Sequence, residues 1–138
     1  MKHNPWLGLA IVVWSLFGSA CGKSREAAAT ATQEFRQRTA AGHWVSIYKA
    51  AAPEFQKSIT EADFAKMMTG VSGKLGAWQS SKTPTWNVTA GTGGRTVTLK
   101  YESQFEKGVG FEDFLWRIQD GRGILLGYHI NSPVFMAN

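Results

Sequence analysis

The apolar residues of this chain change their period near residue 77. Phe64, Met67, Met68, Val71 and Leu75 are spaced as one face of a helix. From Trp78 onward the spacing is every second residue: Trp86, Val88 and Ala90 alternate with Thr85, Asn87 and Thr89, and Val97, Leu99 and Tyr101 alternate with Thr96, Thr98 and Lys100. A chain that reads first as helix and then as alternating strand belongs to the α+β class, with helices covering one face of an antiparallel sheet.

The helical half has its own punctuation. Lys23 to Thr39 is alanine-rich and helical by propensity, with Phe35 its only large apolar residue, and Gly42 ends it. The first part of this stretch is expected as a tether, since nothing before Phe35 has much apolar surface to bury. Trp44, Ile47 and Tyr48 share the face of a second short helix, which Pro53 stops. Thr60 followed by Asp63, with Ile59 and Phe64 placed as a hydrophobic staple, predicts a helix start.

Four strands are expected after that helix. Gly91-Thr92-Gly93-Gly94, a turn around Gly108-Val109-Gly110, and Asp120-Gly121-Arg122-Gly123 separate them. Glu112 shares a face with Phe114, Trp116 and Ile118, and in the last strand Ile124, Leu126, Tyr128 and Ile130 point one way. Thr85, Asn87, Thr89, Thr96, Thr98, Lys100 and Glu102 form the opposite, polar face of the sheet.

The chain has 138 residues, enough for one packed domain. Its 43% hydrophobic and 18% charged residues are too apolar and too weakly charged for disorder. Its single cysteine rules out an internal disulfide and a cysteine-based zinc site. That cysteine stands at a telling place. Lys2 precedes an apolar run from Trp6 to Phe17, and Gly18-Ser19-Ala20 leads into Cys21, the outline of an export signal over residues 1–20. The run is too short to span a bilayer comfortably, although the uncharged stretch from Asn4 to Gly22 keeps an uncleaved anchor as the other reading.

Ser19, Ala20 and Cys21 resemble the lipobox of bacterial lipoproteins, with a departure at Gly18, where that pattern carries an aliphatic residue. The resemblance implies cleavage before Cys21 and lipidation of Cys21 by diacylglycerol, with acyl chains such as palmitate. Gly22 after the cysteine implies sorting to the outer membrane, facing the periplasm. The same small residues also suit ordinary signal cleavage, which leaves Cys21 unacylated. The expected organisation is a signal peptide over 1–20, a lipidated N-terminus and tether over 21–30, and an α+β domain over 31–138.

Phe55, the Ser58-to-Phe64 helix start, the Lys74-Leu75-Gly76 step, the Tyr101-to-Glu112 hairpin and the Asp120-Gly121 turn with Gly127-Tyr128-His129-Ile130 resemble small secreted bacterial proteins of unknown function. Those proteins have a cystatin-like fold within the broader nuclear transport factor 2-like group. The resemblance runs from about Thr30 to Ser132 and departs at Arg122-Gly123. It implies N-terminal helices packed on a curved four-stranded meander. It marks fold positions and no reaction.

Chemical motifs are sparse. After removal of residues 1–20 the histidines are His43 and His129, with no metal-ligand spacing, so neither metal nor cofactor is expected. Gly91-Thr92-Gly93-Gly94 lacks the lysine and helix of a phosphate loop. The pI near 9.6 raises nucleic acid as a partner. The basic residues are scattered, however, and do not interleave with exposed aromatics, so none is expected. The Gln-x-Val-x-Gly motif of cystatin-type protease inhibitors does not occur. For acid–base work the candidate carboxylate is Glu112, with Tyr48, Tyr101 and Tyr128 as phenolic donors. The favoured, bland reading puts Glu112 at a strand end near solvent, with the tyrosine hydroxyls at the rim, His129 exposed and His43 a partly exposed packing residue.

The expected function is that of an exported envelope lipoprotein acting as a non-catalytic binding module, held to the membrane by its lipid. Its partner is then an envelope protein or an acidic polymer. The alternative is a small-molecule-binding protein or enzyme using a cone around Tyr48, Tyr101, Glu112 and Trp116. An enclosed pocket containing Glu112 favours the alternative, whereas a cone filled by Trp44, Phe64, Met68 and Trp116 leaves no room.

Overall fold

The computed structural model describes residues 19–137. The expected signal segment lies outside the described residues but for its last two. The elements run α1 (Ser19–Ala40), α2 (Trp44–Ala50), α3 (Pro53–Ser58), α4 (Glu61–Leu75), β1 (Trp78–Ser81), β2 (Thr85–Gly91), β3 (Gly94–Phe105), β4 (Gly108–Gln119) and β5 (Arg122–Asn131), closed by a short 3₁₀ turn at Pro133–Met136. The architecture is α+β: N-terminal helices followed by an open antiparallel sheet of five strands.

α1 packs against β2, β3, β4 and β5, with its buried residues running from Ser24 to Arg36. The segment expected as a tether lies in the first half of this helix, where Ser24 and Ala28 are buried, as is Ala31 just after it. Small side chains achieve this by letting the helix approach the sheet closely. A β-carbon added to Gly123 of β5 would lie 2.6 Å from the Ala31 side chain. Thr32 continues the buried stripe, donating to the Ala28 carbonyl and accepting from the Trp116 indole N–H at 3.0 Å. The helix ends where Gly42 takes a φ of 71°, with His43 N–H bonded to Arg38 O and Gly42 N–H to Thr39 O, the paired closure of a Schellman motif.

Pro53 both ends the second helix and opens a third, standing in the first turn of α3, where its missing N–H has no helical partner to lose. At α4 the predicted cap is present: Thr60 Oγ1 accepts from Asp63 N–H at 3.1 Å. Phe64, Met68 and Leu75 of the predicted stripe are buried, while Met67 sits at its exposed flank. Thr60→Ala should lower stability by about 1 kcal/mol in urea unfolding, because one first-turn N–H loses its partner. A change within error of zero would show that the cap is redundant.

The meander expected with four strands has a fifth. β1 pairs with Ser103–Phe105 of β3 and β2 pairs with Gly94–Lys100, so the two lie end to end along the same edge. Pro84 interrupts them, having no N–H to give to the ladder. The hairpins otherwise follow the glycines, with the β4–β5 turn made by Asp120 and Gly121 at φ of 52° and 72°.

The last strand departs from its sequence pattern. Trp116 pairs with Leu125 but Leu115 pairs with Gly127, so Leu126 is an extra residue at a bulge. Strict alternation from Ile124 to Ile130 fails there. Leu125, at 3% exposure, is the buried residue before the bulge, and Tyr128, packed against the core, follows after it.

The core lies between this sheet and the helices. Val97, Leu99, Phe114 and Trp116 meet Phe35 of α1, Ile47 of α2, Phe55 of α3, and Phe64 and Met68 of α4. On the opposite face Thr85, Asn87, Thr89 and Lys100 are exposed as expected, while Thr96, Thr98 and Glu102 are half-buried beside the outward-facing Phe111 and Leu115.

Candidate functional site

Glu112 lies on the inward face of β4, opposite Tyr101 of β3 and Ile130 of β5. The expectation of a near-solvent strand end is overturned: the residue is 2% exposed. The physical reason is α1, which crosses above it and delivers an arginine. Arg36 Nη1 donates to Glu112 Oε1 at 2.9 Å, and both residues are buried.

A buried charge is tolerable only when paired and hydrogen-bonded, and here the pairing is complete. Ser103 Oγ donates to the same oxygen at 2.7 Å, and Tyr128 donates its hydroxyl to Oε2 at 2.8 Å. The second guanidinium nitrogen of Arg36 faces Ser81 at 3.3 Å and Ser103 at 3.5 Å, and Trp78 donates its indole N–H to Ser81 at 2.8 Å. The guanidinium carbon lies 4.5 Å from the centroid of the Trp78 ring and 5.1 Å from that of Tyr101, so aromatic faces replace water around the cation.

The sequence-derived set is thus brought together in part. Tyr101, Glu112 and Tyr128 meet. Tyr48 does not join them, because its hydroxyl donates to the carbonyls of Gln56 and Ile59 on the α3 side. Trp116 is engaged with Thr32 deeper in the core. The Tyr128 hydroxyl is directed inward to Glu112, away from the rim where it was expected. His43 and His129 are exposed. Arg36, Ser81, Ser103 and Trp78 were not singled out from the sequence. The available signal was an arginine beside the single phenylalanine of α1, one turn beyond the small-residue stripe.

Burial pushes the Tyr128 hydroxyl well above the usual tyrosine range, and the Glu112 charge beside it acts in the same direction. Burial also raises Tyr101, with Arg36 opposing. In the unfolded chain a tyrosine ionises near pH 10, whereas folded Tyr128 keeps its proton to higher pH. Its contribution to stability is therefore intact below about pH 10 and lost as pH rises through the folded value. Tyr128→Phe should be less stable than the parent at neutral pH by about 1.5–3 kcal/mol, with a gap that narrows above about pH 10. Urea midpoints taken across that range decide it, and a gap independent of pH would contradict this assignment.

Beside the cluster is a cavity of about 210 Å³ between the C-terminal half of α1, α4, β1 and the sheet. Of the residues expected around a cone only Glu112 lines this space; Tyr48, Tyr101 and Trp116 do not, and Phe64 and Trp116 are buried in the core away from it. Phe35, Met68, Val71 and Phe105 form apolar wall, while Arg36, Glu112 and Tyr128 form a polar one. Thr39 also lines the space, and its Oγ1 is buried with no hydrogen-bond partner among the described residues.

Among the described residues no three histidine, cysteine or acidic side chains are grouped to hold a metal ion. No described helix is long and apolar enough to cross a membrane. Cys21 is an exposed free thiol near the start of α1. No protein-family model, curated protein or solved structure matches the chain.

Proposed function

We propose that this chain is an exported envelope lipoprotein, held to the outer membrane through acylated Cys21 and facing the periplasm. Its cystatin-like domain is a non-catalytic binding module whose ligand is a small, largely apolar molecule. The observation that carries the ligand reading is the cavity with Glu112 in its wall. At about 210 Å³ it is smaller than the roughly 300 Å³ at which drug-sized pockets begin, so a compact occupant is favoured. An apolar wall facing one polar side suits a flat or short apolar molecule with a single polar group.

A non-catalytic role is supported by the state of Glu112. Its Oε1 already accepts from Arg36 and Ser103 and its Oε2 from Tyr128, bonds that use the carboxylate as a structural tie between α1, β3, β4 and β5. α1 lying across the inner face of an antiparallel meander supports the cystatin-like reading. The exposed position of Cys21 leaves its sulfur open to acylation.

Titration with 2-naphthol, followed by the quenching of tryptophan fluorescence, tests the cavity. Saturable binding that Val71→Trp weakens by about tenfold or more supports the reading, since one bulky side chain would occupy the space. Absence of saturable binding, or equal binding by the variant, overturns it. Mass spectrometry of the N-terminal peptide from membrane fractions tests the anchor: a diacylated Cys21 supports it, and an unmodified thiol refutes it.

A further inference from the structure

A second concavity lies on the other side of Arg36, between α1 and the β1–β2 edge. It is an open groove of about 600 Å³. Its helix wall carries Arg25, Ala29, Gln33 and Arg36, which helical spacing aligns along one face over about 16 Å. Ala29 leaves the middle of that wall low. The opposite wall has a tryptophan at each end, Trp78 from β1 and Trp86 from β2, with the Gln79-to-Pro84 segment between them.

Trp86 is unusual among the described tryptophans in its setting. It pairs with the fully buried Leu99 on the inward face of the sheet and yet is 49% exposed, at a sheet edge that α1 reaches with the Arg25 side chain. The Arg25 guanidinium carbon lies 5.0 Å from the centroid of its ring. Stacking uses the flat face of a guanidinium and leaves its in-plane N–H groups free. Among the described residues Arg25 has no ion-pair or hydrogen-bond partner. No carboxylate lines the groove, whereas Arg25, Arg36 and Lys82 all do.

We infer that this groove binds a short stretch of acidic polysaccharide. Three features of the lining match that chemistry together. The half-exposed indole of Trp86 offers apolar ring surface to the C–H face of a sugar and excludes water from it. Gln33, Gln79, Ser80 and Thr83 both donate and accept hydrogen bonds, as sugar hydroxyls do. Arg25 supplies an uncommitted cation for a carboxylate, with Lys82 nearby, although Lys82 already meets Glu102 at 2.9 Å. A nucleic-acid strand brings a phosphate with every residue, more negative charge than one free arginine and two paired cations answer. Arg36 is paired with Glu112 and shares the wall between groove and cavity, so it shapes the site more than it charges it.

The inference stands apart from the small-ligand reading, and the two fail separately. Trigalacturonate is the probe, titrated by calorimetry at low salt, with the neutral galactose trimer and hexathymidylate as comparisons. Expected is saturable binding of trigalacturonate that weakens as salt is raised and exceeds binding of both comparisons. Trp86→Ala should reduce it by about tenfold or more, and Arg25→Gln by about two- to fivefold. Neither variant should alter 2-naphthol binding, and Val71→Trp should leave trigalacturonate binding unchanged. Trp86 is on an edge strand and half exposed; if its alanine variant failed to fold, Arg25→Gln and Lys82→Gln together would carry the test. No binding of the acidic trimer, equal binding of the neutral one, tighter binding of hexathymidylate, or indifference to these substitutions would each overturn the assignment.

Discussion

Replacing Arg36 by methionine should lower the unfolding free energy by about 3–5 kcal/mol, among the largest losses available to one substitution here. Methionine matches much of the arginine stem and can rest against Trp78, but it leaves Glu112 as an unpaired charge at 2% exposure. Ser103 and Tyr128 would still donate to the carboxylate, and two neutral hydrogen bonds do not replace a cation. The companion result separates charge from packing. Arg36→Met combined with Glu112→Leu should recover most of the loss, because removing both charges also removes the cost of burying them. Urea unfolding of the parent, the two single variants and the double variant forms the cycle. A single-variant loss below about 1 kcal/mol would mean that water reaches the pair and that it behaves as a surface ion pair.

Phe114→Ala should cost about 3–5 kcal/mol for a different reason, the loss of ring volume at a site that cannot collapse. The ring is fully buried, and four others surround it: Phe35 at 5.1 Å and edge-on, Tyr101 at 5.9 Å, Tyr128 at 4.9 Å and Trp116 stacked at 6.0 Å. Those rings come from α1, β3, β4 and β5, each held by its own backbone ladder or helix, so none can move far into the space. The Arg36 guanidinium carbon also lies 5.5 Å from this ring centroid, so the substitution should loosen the ion pair as well. Phe114→Leu should recover roughly half the loss, in keeping with the smaller volume it removes. Equal losses for alanine and leucine would assign the effect to ring electrostatics rather than to the cavity.

Either change would remove much of the stability of a domain this size, for which about 5–15 kcal/mol is usual. Arg36 and Phe114 are neighbours, so their effects should not add.

The distance between sequence and structure differs from element to element. Thr60, Asp63 and Phe64 announced their helix because capping and stapling are local, decided within a few residues. The β2–β3 hairpin was legible for the same reason, with its glycines where the turn needs them. α1 was half legible: its helicity followed from composition, but its burial did not, because alanine, serine and threonine carry no apolar signature. Their value lies in smallness, which matters only once Gly123 of β5 stands opposite. The Leu126 bulge was invisible because the alternation before and after it is each regular, and only pairing with β4 shows where one residue is skipped.

The site repeats this division. Glu112 could be singled out from its strand register, and two of the three tyrosines proposed around it do meet there. Ser103 is 9 residues from Glu112 and Arg36 is 76 away, and no short-range pattern links those three positions. What the order of residues determined alone was the period of each segment, its caps and turns, and hence an α+β chain with helices first, since those depend on contacts within one or two turns. Tertiary packing decided that α1 lies across the inner face of the sheet. That placement buried Glu112, supplied its cation, and left a cavity on one side of Arg36 and a groove on the other.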